Sequence, residues 1–221
     1  MIKFDIITIF PDILSSYLSE SLIARAQAKK LIKIQTHNLR DFSDDVRGTV
    51  DGRPFGGGLG MVLKPEPIFK AVKKIQSQKT SKIILFTPRG QKFTQKLATK
   101  LSKLDQIIFI CGRYEGVDQR VAEKIAHMEI SIGDYDLMGG ELPAMVVIES
   151  ISRLIPGVLG KEALLRERMT KSGGFIEYAQ YTRPEVFEPV KGKKWRVPKV
   201  LIQGDHKKIE AWKKDHGKVI E

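Results

Sequence analysis

One cysteine, Cys111, stands among 221 residues, so no intramolecular disulfide can form. That scarcity points to a reducing compartment, and the cytoplasm is the expected location. Long apolar runs are missing too. None approaches the ~18–20 residues that a bilayer-spanning helix needs. The start, Met1-Ile2-Lys3-Phe4-Asp5, puts an acid inside the first apolar stretch and has no small-residue cleavage site, so no secretory leader is expected. Histidine is rare, and His206 and His216 lack ligand-like spacing, so no zinc site is expected. Acidic residues are outnumbered, 26 against 38 Lys and Arg, for a formal charge of +12. The excess is densest near the end, where Pro189 to Lys218 holds ten Lys/Arg and three Asp/Glu. Such a field attracts polyanions and is screened by salt. A solvated, solubilising surface would have the same composition.

Hydrophobic residues make up 42% and charged residues 29%, which suits a globular domain with a sizeable core and a small appendage. The first 150 residues alternate strand-like and helix-like patterns. Strands are expected at Ile2–Phe10, Leu31–Thr36, Lys82–Phe86, Gln106–Ile110 and Met128–Ile130. Helices are expected at Pro11–Lys30, Pro65–Ile75, Gln91–Leu101, Val117–Ala126 and Glu141–Leu154. Compact apolar runs such as Gln106–Ile110 are the mark of buried parallel strands. The alternation implies an α/β fold, a parallel sheet with helices on both faces. Ligands in such sheets sit at the C-terminal strand ends. Three loops lie there: 87–90, 111–116 and 131–140. Residues 161–175 lack periodicity and read as a linker. The tail, 176–221, holds Pro184, Pro189 and Pro198 and one expected helix near Asp205–Lys214, and reads as a small, mainly helical domain.

Gly133, Gly139 and Gly140 in the last of these loops leave backbone N–H and C=O groups open to a ligand, or else make a tight connection. The spacing is neither G-x-G-x-x-G nor a P-loop, so a purine held by main-chain groups fits better than a pyrophosphate. Segment 48–60 carries Gly56, Gly57, Gly58 and Gly60 beside Arg47 and Arg53, which suits an RNA-gripping loop or a plain flexible one. Arg153 closes the long helix. It is either a cation favoured by the helix dipole or a guanidinium aimed into a site. Cys111 ends an apolar strand and reads as a buried structural thiol.

Ordered along the chain are Arg53-Pro54-Phe55-Gly56-Gly57-Gly58-Leu59-Gly60-Met61, Gly112-Arg113-Tyr114-Glu115-Gly116, Ser131-Ile132-Gly133-Asp134-Tyr135, Gly139-Gly140-Glu141-Leu142-Pro143-Ala144, Ile155-Pro156-Gly157-Val158-Leu159-Gly160 and Tyr181-Thr182-Arg183-Pro184-Glu185. Each is weak alone, but the ordered set closely resembles the bacterial tRNA (guanine-N1)-methyltransferases of the SPOUT class, from Ile2 to about Asp205. The resemblance implies a trefoil knot in the C-terminal half of the sheet domain, residues 1–160. It also implies a homodimer with the active site at its interface, and a small tRNA-binding domain at 176–221. The implied methyl donor is S-adenosylmethionine. By position its contacts would be Leu85, Phe86, Thr87, Pro88, Gly112, Tyr114, Ser131, Ile132, Gly133, Asp134, Tyr135, Asp136, Leu137, Gly139, Gly140 and Pro143. The implied target is N1 of guanine 37 beside the anticodon, with Glu115, Gly58, Leu59 and Arg183 toward RNA.

In that chemistry a carboxylate removes the N1 proton and a cation stabilises charge on O6. Arg153 matches the family's arginine for the second task. For the first, the family has an Asp in a Glu-Asp-Ser-Phe-like linker stretch, whereas this chain reads Arg166-Glu167-Arg168-Met169-Thr170. Glu167 is the expected substitute. A second reading is a catalytically weak tRNA-binding homologue that lacks the base. A third is a related knotted methyltransferase with another RNA target, against which Tyr181-Thr182-Arg183-Pro184 and the basic tail argue. The family also raises a Mg²⁺ requirement, although the sequence shows no dedicated carboxylate cage.

Overall fold

Strand β1 (Ile2–Thr8) carries the first apolar stretch into the interior of a five-stranded parallel sheet, one strand in from its edge. The spatial order is β2 (Ile32–Asn38), β1, β6 (Gln106–Ile110), β5 (Ser81–Lys92) and β7 (Met128–Ser131). A separate two-residue ladder joins β3 (Asp51–Gly52) to β4 (Val62–Leu63). The structure, a computed structural model, describes residues 1–161 and 168–220. It divides into two units, Met1–Ala163 and Leu164–Glu221.

Every residue of β6 is buried, which is why its run is apolar after Gln106. Alternate side chains serve opposite faces. Ile107 and Phe109 join one core cluster with α2 (Ser21–Ala28), α4 (Gln95–Leu101) and α6 (Glu141–Ser152). Ile108 and Ile110 join the other, with α3 (Pro65–Ile75) and α5 (Gln119–Lys124). Phe109 lies between the rings of Phe4 and Phe86, at 6.2 and 5.5 Å between centroids. The parallel sheet covered on both faces is therefore as the pattern implied.

Three local expectations change. The helix expected over Pro11–Lys30 is broken into a 3-10 turn at Pro11–Leu14, α1 (Ser15–Leu18) and α2. Glu20 is extended and Ser21 has φ 56°, a left-handed conformation that no helix can run through. The expected loop 87–90 is a bulge inside β5, because Ile130 of β7 pairs with both Phe86 and Gln91. A Cβ on Gly90 would lie 2.6 Å from the Ile130 nitrogen, so only glycine lets the strand return to its ladder. Residues 91 and 92 are thus strand, and α4 starts at Gln95 under a Thr94 cap that accepts from the Leu97 N–H at 3.3 Å.

The second unit is not mainly helical, which corrects the expectation for 176–221. It pairs β8 (Phe175–Tyr178) with β11 (Gly217–Ile220) and β9 (Val186–Val190) with β10 (Lys193–Arg196). Among its described residues the helices are α7 (Lys199–Ile202) and α8 (His206–Asp215), the latter close to the helix expected there. Gly192, at φ 87°, turns the β9–β10 hairpin, and Glu188 accepts from its N–H.

A buried carboxylate ties the sheet together. Asp5 receives His37 Nε2 at 2.7 Å, Gln106 Nε2 at 2.7 Å and Lys3 Nζ at 3.1 Å. Burial pushes its pKa up, but these three partners more than offset that and hold it below the ordinary carboxylate value. A depressed folded-state pKa gives stability that is full above the unfolded value, about 3.9, and is lost as pH falls through the folded value. Asp5→Asn is expected to lower unfolding stability by about 3 kcal/mol at pH 7, because it strands the donors around it. Denaturant titrations at neutral and acid pH check this, and the gap between the two proteins should narrow at acid pH.

Candidate active site

The three loops at the C-terminal strand ends enclose one cavity of about 500 Å³. Of the sixteen positions expected to hold the methyl donor, all but Asp134 line it. Asp134 instead pairs with Lys92 at 2.5 Å on the exposed side of its loop. Sequence reasoning missed Arg89, Arg113, Gln119, Glu129 and Met138, which also line the cavity. Arg113 stands between Gly112 and Tyr114, both expected in the site, and that adjacency is its one signal in the sequence. Glu129 carried no signal, being a polar residue within a short strand.

Close approach explains the glycines of the third loop. Gly140 N–H donates to the Gly112 carbonyl at 3.1 Å. A Cβ on Gly140 would lie 2.7 Å from Cys111 Cα, and one on Gly133 would lie 2.7 Å from Tyr135 Cζ. The turn at Gly133 is closed by Ser131, whose hydroxyl donates to the Gly133 carbonyl at 2.8 Å. Tyr135 donates to the Ile132 carbonyl at 3.3 Å. On the facing loop Tyr114 has φ 60° and is half exposed. A non-glycine residue in that region costs energy, so the surrounding loop must hold Tyr114 there. The cavity is thus a narrow slot between backbone-rich walls, suited to a flat heterocycle held by main-chain groups.

Other expected residues fall as follows. Glu115 lines the cavity and packs on the glycine-rich segment, where a Cβ at Gly60 would lie 2.8 Å from its Cγ. Its N–H donates to the Met61 carbonyl at 3.0 Å. Gly58 and Leu59 are exposed a few residues earlier in that segment. Arg153 caps the C-terminal end of α6 and is exposed. It does not line the cavity. The cavity lies at the other end of that helix, about 18 Å away at 1.5 Å per residue. Arg183 is exposed in the second unit. Glu167 lies outside the described residues. Cys111 is buried, and burial, with Glu141 nearby, pushes its thiol well above the ordinary value, so it is no nucleophile. Among the described residues no group of three or more His, Cys, Asp or Glu is placed to hold a metal ion.

A profile described as tRNA (Guanine-1)-methyltransferase TrmD matches residues 2–219. The chain belongs to that family. Relatives named tRNA (guanine-N(1)-)-methyltransferase include one from Dictyoglomus turgidum, 49% identical over 214 residues, spanning 97% of this chain and 84% of that protein. The Staphylococcus carnosus relative is 47% identical over 211 residues, 96% of this chain and 84% of that one. The Bacillus subtilis relative is 46% identical over 213 residues, 96% and 85%. Membership in the TrmD family gives the cavity a chemical context that its shape alone does not. No helix among the described residues is long and apolar enough to cross a membrane.

Proposed function

We propose that the chain transfers a methyl group from S-adenosylmethionine to N1 of guanine 37 in tRNA. The observation that carries this is the slot between loops 111–116 and 131–140, in a chain of the TrmD family. Its walls fit the donor, because glycines stand where a Cβ would collide with the opposite wall or a neighbouring ring. S-adenosylmethionine, when bound, supplies an electrophilic methyl. The chain's own residues supply the rest. Backbone groups around Ser131–Leu137 hold the adenine, Glu115 lies at the guanine side, and Arg153 stabilises charge on O6. Glu167 takes the N1 proton. Residues 176–221 grip the anticodon arm with their basic excess, so affinity for tRNA falls with salt.

Two further features belong to this reading. The first is a trefoil knot, favoured by the tight crossing of Gly140 over Cys111 and Gly112. The second is a homodimer that completes each site. Ile13 and Tyr17 beside Leu142 and Val146 of α6 leave an apolar face exposed, and Tyr17 reaches Glu149 of that helix at 3.0 Å. Such a face calls for a cover. The separation of Arg153 from the cavity within one chain also favours a site built from two copies.

Calorimetric titration with S-adenosylmethionine is expected to show one site per chain, and no binding at millimolar donor would end the reading. For the base, Glu167→Gln is expected to slow single-turnover transfer by about 10²–10⁴-fold without changing donor affinity. Full activity in that variant would remove Glu167 from its role. A wild-type chain that binds donor and tRNA yet transfers nothing would favour the catalytically weak homologue.

A further inference from the structure

Glu141 opens α6 at the edge of the cavity but does not line it, and it is 1% exposed. A carboxylate cannot be buried there without compensation. Thr8 Oγ1 donates to Glu141 Oε1 at 2.6 Å, from the C-terminal end of β1. Arg113 Nη2 meets Glu141 Oε2 at 2.9 Å, and the first turn of α6 adds its dipole. Arg113 in turn donates from Nη1 to the Met138 carbonyl at 3.3 Å and lies over the Phe10 ring at 4.9 Å. Its backbone bridges Gly139. A Cβ on Gly139 would lie 2.6 Å from Glu141 Oε2 and 2.7 Å from Arg113 Cδ, so the pair fills the space a side chain would take. One buried ion pair therefore joins the loop after β6 to the loop after β7, the two walls of the slot.

The pair is poorly aligned as a stabilising contact. Arg113 Nε and Glu141 Oε2 are buried without a hydrogen bond. A buried ion pair of that kind adds little over a well-packed apolar substitute. What an apolar pair could not do is hold the Met138 carbonyl and the Gly139 backbone at a set distance from Gly112. We propose that Glu141 is a positioning residue for the donor site, acting through Arg113 on the wall formed by Met138 and Gly139. The proposal rests on the cavity being the S-adenosylmethionine site, and it involves no proton transfer by Glu141.

Glu141→Gln keeps the size and an oxygen for Thr8, but turns an amide toward the guanidinium. Its dissociation constant for S-adenosylmethionine is expected to rise about tenfold. The KM for tRNA and kcat at saturating donor should stay within about twofold. Arg113→Gln should show the same loss, and the double variant should be no worse than either single one. Thr8→Ala is the structural control. It removes a donor but leaves the ion pair, so it lowers the melting temperature with donor affinity kept. Donor affinity within twofold of wild type in Glu141→Gln overturns the proposal, as does a double variant whose loss is the product of the two. If Glu141→Gln fails to fold, Glu141→Asp, which keeps the charge but shortens its reach to Arg113, takes its place, and donor affinity within twofold of wild type there overturns the proposal. A wild-type protein that binds no S-adenosylmethionine is a different outcome, since it removes the donor site on which the proposal rests.

Discussion

Arg153→Ala is expected to slow single-turnover methyl transfer by about 10²–10³-fold, with S-adenosylmethionine affinity within twofold of wild type. Removing the N1 proton leaves negative charge on guanine O6, and a fixed guanidinium at that atom stabilises the transition state more than the ground state. The loss should therefore appear in the chemical step rather than in donor binding. Arg153→Lys should recover only part, because an ammonium has no planar fork to hold against O6. The position of Arg153 adds a sharper test. It caps the far end of α6, about 18 Å along the helix from the cavity. If the site is built from two copies, a chain with a damaged cavity can still lend its arginine. Mixing Arg153→Ala chains with Gly140→Val chains should then give heterodimers with one working site, and activity should return. Activity no greater than the sum of the two separate variants would place Arg153 and the cavity of one chain in the same site.

Gly140→Val is the second large effect. The glycine has φ −84°, so its backbone conformation is open to any residue. Space is what excludes a side chain, since a Cβ would lie 2.7 Å from Cys111 Cα and 3.2 Å from the Gly112 nitrogen. Backbone atoms cannot swing aside as a side chain can. Loop 131–140 must lift away from loop 111–116, breaking the Gly140 to Gly112 hydrogen bond and opening the slot. A stability loss of about 3 kcal/mol is expected from overpacking at such a contact. Donor affinity should fall at least about a hundredfold, as two walls of the site separate. Gly160→Ala is the matched comparison, because nothing lies within 4 Å of its Cβ position. It should stay within about 0.5 kcal/mol of wild type. Calorimetric donor titration and thermal unfolding read both. Wild-type donor affinity in Gly140→Val would show that the crossing does not shape the site.

Much of this site is legible along the chain because loops at the ends of buried strands are easy to place. Gln106–Ile110 and Pro65–Ile75 are recovered to the residue, since a continuous apolar run and a proline-opened helical period each leave little choice. Gln91 and Lys92 read as helix because no local signal reveals that Gly90 returns the chain to its ladder. The β9–β10 hairpin is hidden by Pro189 and by strands exposed on most of their surface, which removes the alternation a half-buried strand shows. The Thr8–Glu141 contact joins residues 133 positions apart, and no periodicity carries that.

The linker shows the same limit. Arg168 and Met169 stand in the stretch where the resemblance implies an aspartate. The structure assigns both to the second unit. Arg168 pairs with Glu177 at 3.1 Å and lies over the Tyr178 ring at 4.7 Å, while Met169 bridges Phe175. Neither a guanidinium nor a thioether can serve as the base, and under the proposed function that role is Glu167's.

The central claim is tested most directly by incubating the protein with methyl-labelled S-adenosylmethionine and two tRNA transcripts that differ only in carrying guanine or adenine at position 37. Label on the guanine transcript alone, recovered as N1-methylguanine, is the expected result. Label on both transcripts, on another nucleotide, or on neither with active donor binding would contradict it.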